Sequence, residues 1–292
     1  MTTLGLIQLL FVSLAIVMAG LGLSLRLSDF AGLMARRREV AVALVLQMVV
    51  LPIVAYVLAV GFGLSGALAA GMLIIAATPG SISANLFSHL FGGNVAFNIA
   101  LTGVNTLLSA LTLPLVTAWA VEHFTGKGQS VPLLWEKAFE TIAVVVVPVL
   151  AGMLVAAKRP RLAAALTGPV KILSAVLVVV FSVVAIVREW ATLSAAFVDI
   201  GLAVLTFNLV SIVSGFVLGR LLARERADAV TIMFQASIHS AILGIYVALA
   251  VLESETMALP AALYSITMNF MALGFGFLVL RRPPGRPVAQ LL

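Results

Sequence analysis

Thr78-Pro79-Gly80-Ser81-Ile82-Ser83-Ala84-Asn85 puts a threonine, two serines and an asparagine around a Pro-Gly pair, mid-way along an apolar run over about 66–91. A second polar group, Gln235-Ala236-Ser237-Ile238-His239-Ser240, sits near the centre of another run, about 229–252. Between them in sequence, Asn98 and Thr102 stand four residues apart, hence on one helical face, and Asn105 and Thr106 extend it. Gln47 and Asn208 are single amides inside otherwise apolar runs, and Tyr264, Ser265, Thr267 and Asn269 form one more patch. Almost all of these groups are neutral donors and acceptors, which bind ligands rather than make or break bonds. A hydrolase or metal enzyme gathers carboxylates, histidines or a nucleophile in one place. Here the three histidines (His89, His123, His239) fall in separate runs and no Asp or Glu is expected at mid-span, so the sequence reads as a transporter binding site and not as an enzyme.

The Pro-Gly pair should break its helix, because proline removes a donor and clashes with the preceding turn while glycine loosens φ. Irregular backbone at membrane depth survives only where protein or a water-filled cavity surrounds it. The bland alternatives are specific. A glutamine such as Gln47 in a span commonly bonds a neighbouring helix; His239 could do the same, and the Asn98–Thr106 face could be interhelical packing. Pro52, a turn after Gln47, should kink or thin its helix.

The elements that must position these residues are long apolar helices. The chain has 292 residues, 63% hydrophobic and 10% charged, with a mean hydropathy of +1.22. Soluble domains carry about 25% charged residues, so this is an integral membrane protein, all-α. Nine apolar runs can be drawn, roughly 4–25, 40–62, 66–91, 94–121, 138–157, 167–187, 194–219, 229–252 and 257–280. The net charge of +6 does not signal nucleic acid, because the cations gather in short loops. Arg26, Arg36, Arg37, Arg38, Lys158, Arg159, Arg161, Lys171, Arg220, Arg224, Arg226, Arg281, Arg282 and Arg286 fall on one side, leaving Lys127, Lys137 and Arg188 on the other. The positive-inside rule then places the N-terminus outside and the C-terminus in the cytoplasm. The Leu25–Glu39 connection reads as a topology anchor, or as a short interfacial helix. The N-terminus lacks the basic region of a cleavable signal, and no cysteine is present for thiol chemistry.

Spans one to four and six to nine match: a plain span, one with a single amide (Gln47, Asn208), a centrally polar span, then one with a polar face. With an odd fifth span between them the halves run in opposite senses, as in the inverted repeats of many transporters. Pro79-Gly80 and Gln235–Ser240 are the corresponding interruptions.

Met18-Ala19-Gly20-Leu21-Gly22-Leu23, Ser28-Asp29-Phe30, Pro79-Gly80-Ser81-Ile82-Ser83-Ala84-Asn85, Gly93-Asn94-Val95-Ala96 and Leu259-Pro260-Ala261-Ala262-Leu263-Tyr264-Ser265 together resemble the bile acid:sodium symporter family and its bacterial members. The resemblance implies a panel (about 1–27 and 133–190) and a core (about 38–124 and 194–282) in which two discontinuous helices cross. It implies one sodium site on Asn85, Asn98, Thr102 and Gln235, and another on Gln47, Gln235, Ala236, Ile238 and His239. Thr78, Ser81, Ser83, Ser240 and Asn269 would face a small organic anion.

The eighth span departs from the family's Glu-x-Gly-x-Gln-Asn, reading Gln235-Ala236-Ser237-Ile238-His239-Ser240. Losing a carboxylate from a low-dielectric cation site costs several kcal/mol, and an imidazole is a poor sodium ligand that titrates near neutrality. The expectation is a secondary transporter of small organic anions in the inner (plasma) membrane, without a resident cofactor. Its coupling ion is open between sodium, a proton at His239, or none.

Overall fold

The computed structural model describes residues 3–126, 131–188, 190–195 and 197–280. All regular elements among the described residues are helical. In chain order they are α1 (Thr3–Leu23), α2 (Leu27–Ala35), α3 (Arg37–Val45), α4 (Leu51–Gly61), α5 (Gly66–Ala77), α6 (Ser83–Leu90), α7 (Val95–Thr125), α8 (Val131–Lys158), α9 (Pro160–Arg188), α10 (Trp190–Ala195), α11 (Phe197–Leu222), α12 (Arg226–Ser237), α13 (Ala241–Tyr246) and α14 (Glu255–Val279). A π turn, Leu46–Val50, joins α3 to α4, and another, Val247–Val251, extends α13.

Among the described residues five helices are long and apolar enough to cross a membrane: Arg37–Gly61, Val95–Thr125, Pro160–Arg188, Val198–Leu222 and Glu255–Val279. A sixth arises if Gln8–Leu23 and Ser28–Ala35, bent by 70°, count as one span. That bend makes the alternating connection a short helix, α2, and Arg36 beyond it is tied into the protein: its Nε donates to Asp228 Oδ2 at 2.9 Å. Asp228 is buried and also accepts from Asn94 Nδ2 at 3.0 Å, so the start of α12 is fastened to the α2–α3 corner and to the cap of α7. Glu39, equally buried, accepts from the Arg224 backbone at 3.2 Å. These two acids lie near helix ends, where the sequence patterning hid them among the topology-setting arginines.

The Pro-Gly break is present: α5 stops at Ala77 and α6 begins at Ser83. The second polar stretch also interrupts its helix, α12 ending at Ser237 and α13 starting at Ala241, with no proline or glycine inside. Pro52 acts through the π turn. Having no N–H, it cannot bond the Met48 carbonyl, and Leu51 instead donates back to Leu46.

α1 packs on α8 and α9, and α9 on α14. Where α1 and α8 cross, Cβ atoms are excluded. One on Gly22 would run into the Val149 carbonyl, and one on Gly152 into the Ala19 carbonyl, the close backbone approach that small residues allow between membrane helices. Gly168 has open space around it. Gly152→Val should lower the melting midpoint in detergent, the overpacking costing about 1–3 kcal/mol. Gly168→Ala should leave it unchanged or raise it, and thermal melts of the two variants check this.

Candidate functional site

The two interruptions meet. Gly80 and His239 form an isolated antiparallel bridge, in which Ser81 N donates to the Ile238 carbonyl and Ser240 N to the Pro79 carbonyl, both at 2.8 Å. Two helices that lost their internal hydrogen bonds thus satisfy each other's freed groups. Thr78 and Ile238, the residues following α5 and α12, are both in extended conformation (ψ 150° and 94°), so each chain leaves its helix as a short strand and re-enters helix at Ser83 and Ala241.

Gln235, on the last turn of α12, lies directly over Gly80; a Cβ there would collide with its amide. Its Oε1 is 2.9 Å from the Thr102 hydroxyl, which is also 2.8 Å from the Asn98 carbonyl. With one hydrogen, that hydroxyl satisfies one of the two oxygens at a time. Asn98, one turn before Thr102 on α7, donates through Nδ2 to Ser88 Oγ at 2.9 Å, and Ser88 is three residues past Asn85 on α6. Asn98, Thr102 and Gln235 are thus linked across α7 and α12, with Asn85 one turn before Ser88 on α6, and each of the four is at most 3% exposed. Both polar atoms of Asn85, Oδ1 of Asn98 and Nε2 of Gln235 have no hydrogen-bond partner. Buried polar atoms are almost always paired, yet among the described residues ten side-chain atoms are not, these four among them. The four divide equally, two amide oxygens and two amide nitrogens.

A second group is bonded within itself through one end of each side chain, while Gln47 Oε1 and His239 Nε2 have no hydrogen-bond partner. Gln47, in the π turn, points Nε2 at the Thr78 carbonyl (2.9 Å) and at His239 Nδ1 (3.0 Å). Two acceptors on one side identify that end of the amide as nitrogen and make Nδ1 an acceptor, so the imidazole is neutral with its hydrogen on Nε2. The ring is packed edge-on to Tyr264, centroids 5.2 Å apart, and beside Phe207 at 5.6 Å. Tyr264 in turn donates to the Ser237 carbonyl at 2.8 Å. The Ile238 carbonyl is taken by Ser81, and Ala236 is buried beside it on the last turn of α12.

The sequence-selected residues thus divide. Thr78 belongs with Gln47 and His239: it is buried, and its hydroxyl donates to the Ile75 carbonyl at 2.7 Å. Ser81 and Ser83 are half-buried and touch each other, Oγ to Oγ 3.1 Å. Ser240 starts α13, and Asn269 lies further along α14, donating to the Ser265 carbonyl at 2.8 Å. Asn208 is buried against Thr267, Nδ2 to Oγ1 3.3 Å, with its Oδ1 unpartnered. Sequence reasoning passed over Ser88 and Phe207; the i+3 spacing of Ser88 from Asn85 was the available signal for the first, and Phe207 had none.

Among the described residues no group of His, Cys, Asp or Glu could hold a metal ion. Compared with known proteins, the chain matches the Sodium Bile acid symporter family over residues 11–196. It is 24% identical over 260 residues to a probable sodium/metabolite cotransporter of Arabidopsis thaliana chloroplasts, covering 89% of this chain and 64% of that protein. It is 27% identical over 259 residues to an uncharacterized sodium-dependent transporter of Bacillus subtilis, covering 88% and 78%. An ileal sodium/bile acid cotransporter of Oryctolagus cuniculus is 27% identical over 175 residues, 60% of this chain and 50% of that protein. The chain thus spans somewhat less than two thirds of the plant protein's length and half of the rabbit protein's.

The two clusters should respond oppositely to removal of their amides. Gln47→Leu strands the Thr78 carbonyl and should destabilise the protein by about 1–3 kcal/mol. Asn85→Leu removes two unpaired buried atoms and should leave the melting midpoint unchanged or higher while impairing ligand binding. Thermal melts of both variants, with and without sodium, separate the cases.

Proposed function

Because the chain belongs to the Sodium Bile acid symporter family, we propose that it is a secondary transporter moving a small organic anion across the cell's plasma membrane by alternating access. The observation that carries this reading is the backbone pairing of two interrupted helices at Gly80 and His239. Discontinuous helices crossing inside a helical bundle form the substrate and ion sites of carriers, and relatives described as sodium-dependent transporters agree.

On this reading the spans number nine. The five long helices are joined by α1, α8 and the two broken pairs α5–α6 and α12–α13, arranged as an inverted repeat about the Gly80–His239 pair. The N-terminus lies outside and the C-terminus in the cytoplasm, as the arginine distribution requires. α1, α8 and α9 act as the panel and the remaining spans as the core. Polar side-chain links between them include Ser182 to Ser265, 2.6 Å, and Arg188 to Glu255, 2.7 Å.

The substrate binds where the N-terminal ends of α6 and α13 converge, beside Ser81, Ser83 and Ser240, with Asn269 further along the same path. The positive ends of those helix dipoles suit a carboxylate. One coupling cation fits the cluster of Asn85, Asn98, Thr102 and Gln235, where four neutral oxygen donors would hold sodium weakly. At the second position Gln47 Nε2 and His239 Nδ1 are occupied with each other, while Gln47 Oε1 and His239 Nε2 stay unpaired. The same observation favours a second reading, a sodium-independent carrier, in which the first cluster binds water in place of an ion.

Counterflow of radiolabelled organic acids in proteoliposomes tests the assignment. Exchange of at least one small carboxylate is expected, and failure of every anion tried overturns it. With a sodium gradient the rate should rise modestly; no response selects the sodium-independent reading. Gln235→Glu supplies the missing charge and should enlarge the sodium-induced rise in melting midpoint, because a ligand that binds only the native state stabilises it in proportion to its affinity. His239→Gln should transport with an unaltered pH profile, since the imidazole acts as an acceptor and not as a proton carrier.

A further inference from the structure

At one end of α1 and α8, away from the crossing, lies an open cleft of about 500 Å³. Its walls are apolar, among them Leu25, Leu150, Met153, Leu154 and Pro160, and a single charged residue, Arg26, lines it. Leu150 and Leu154 are more than half exposed, so the cleft opens sideways, where membrane helices meet acyl chains. Arg26, Lys158, Arg159 and Arg161 stand at or within a few residues of the rim, all exposed. One acid lies close to them along the chain, Asp29. No acid occurs between Glu140 and Glu189, Asp29 turns its carboxylate to the Arg26 backbone N–H at 2.9 Å, and the ion pairs found among the described residues, Arg36–Asp228 and Arg188–Glu255, involve none of the four.

We propose that this cleft is a binding site for one anionic phospholipid, its acyl chain lying against Leu150, Met153 and Leu154 and its phosphate at Arg26 with the α8–α9 turn. Charge complementarity selects the occupant. A juxtamembrane cation attracts anionic lipid with about 1 kcal/mol each, and four exposed cations against the one carboxylate of Asp29, at the mouth of an apolar slot, combine that attraction with a place for the chain. A zwitterionic lipid brings its own cation to the same rim, and a water-soluble anion gains nothing from the apolar walls. The lining comes from the α1–α2 connection, α8 and the first residue of α9, so a seated lipid also bridges α8 to the end of the helix it meets at Gly22 and Gly152.

Native mass spectrometry of the full chain, titrated with phosphatidylglycerol or with phosphatidylcholine of the same chains, tests the proposal. A saturable single adduct is expected with phosphatidylglycerol at concentrations where phosphatidylcholine gives none, and soluble glycerol phosphate should not displace it. Arg26→Gln should weaken the adduct about fivefold, the effect of one juxtamembrane charge, whereas Arg220→Gln, in a different loop, should not. Ala157→Trp, which fills the slot without altering charge, should abolish it; if that variant does not fold, Arg26→Lys should retain binding. Equal adducts with both lipids, equal loss in Arg26→Gln and Arg220→Gln, displacement by glycerol phosphate, or a protein dimer occupying the cleft would each overturn the assignment. The readout is bound lipid and not uptake, so it is independent of the transport reading.

Discussion

Two backbone hydrogen bonds, Ser81 N to Ile238 O and Ser240 N to Pro79 O, are the constraint from which the rest of the structure follows. Interrupting a helix inside an apolar bundle exposes carbonyls and N–H groups that no lipid can satisfy, at several kcal/mol each. Pairing two interruptions solves the problem for both, but only if the breaks lie at the same depth and run antiparallel. That requirement dictates where α5, α6, α12 and α13 cross, and it explains why the small Gly80 is needed there, under the Gln235 amide.

Side chains around the crossing are allotted unequally. On one flank Gln47, Thr78 and His239 close a small hydrogen-bonded set, ringed by Phe207 and Tyr264. On the other, Asn85, Asn98, Thr102 and Gln235 are held together with atoms to spare. Both flanks hold buried side-chain atoms without a hydrogen-bond partner, Gln47 Oε1 and His239 Nε2 on the first and four on the second, and such atoms cost stability. Functional sites commonly carry such a deficit, offset by well-packed surroundings.

The membrane-end contacts serve a different purpose. Arg36, Asp228 and Asn94 bind the start of α12 to the cap of α7 and the α2–α3 corner, so the polar helices around the crossing are tied as a unit. α1 and α8 meet through glycines with backbone against backbone. Between α9 and α14 the side-chain contacts include a serine pair inside and an ion pair, Arg188–Glu255, about one third exposed at the surface. An ion pair that exposed contributes at most about 1 kcal/mol.

Composition and hydrophobic run length determined by themselves that the chain is an all-helical membrane protein, because length, apolarity and loop charge are local properties. The Pro79-Gly80 break was equally legible, since its cause lies in two adjacent residues. The break at Ile238–Ser240 was legible only through the repeat that matched Gln235–Ser240 to Pro79-Gly80: no residue there opposes helix, and what interrupts it is the partner strand that becomes available 159 positions earlier in the chain, at Gly80. The pairing of Gln47 with His239, the contact of Gln235 with Thr102 and the burial of Asp228 beneath Arg36 were likewise decided by tertiary structure alone. Each depends on two distant segments reaching the same place, and a hydrogen bond of about 3 Å is a condition on three-dimensional position that no spacing within one helix can express.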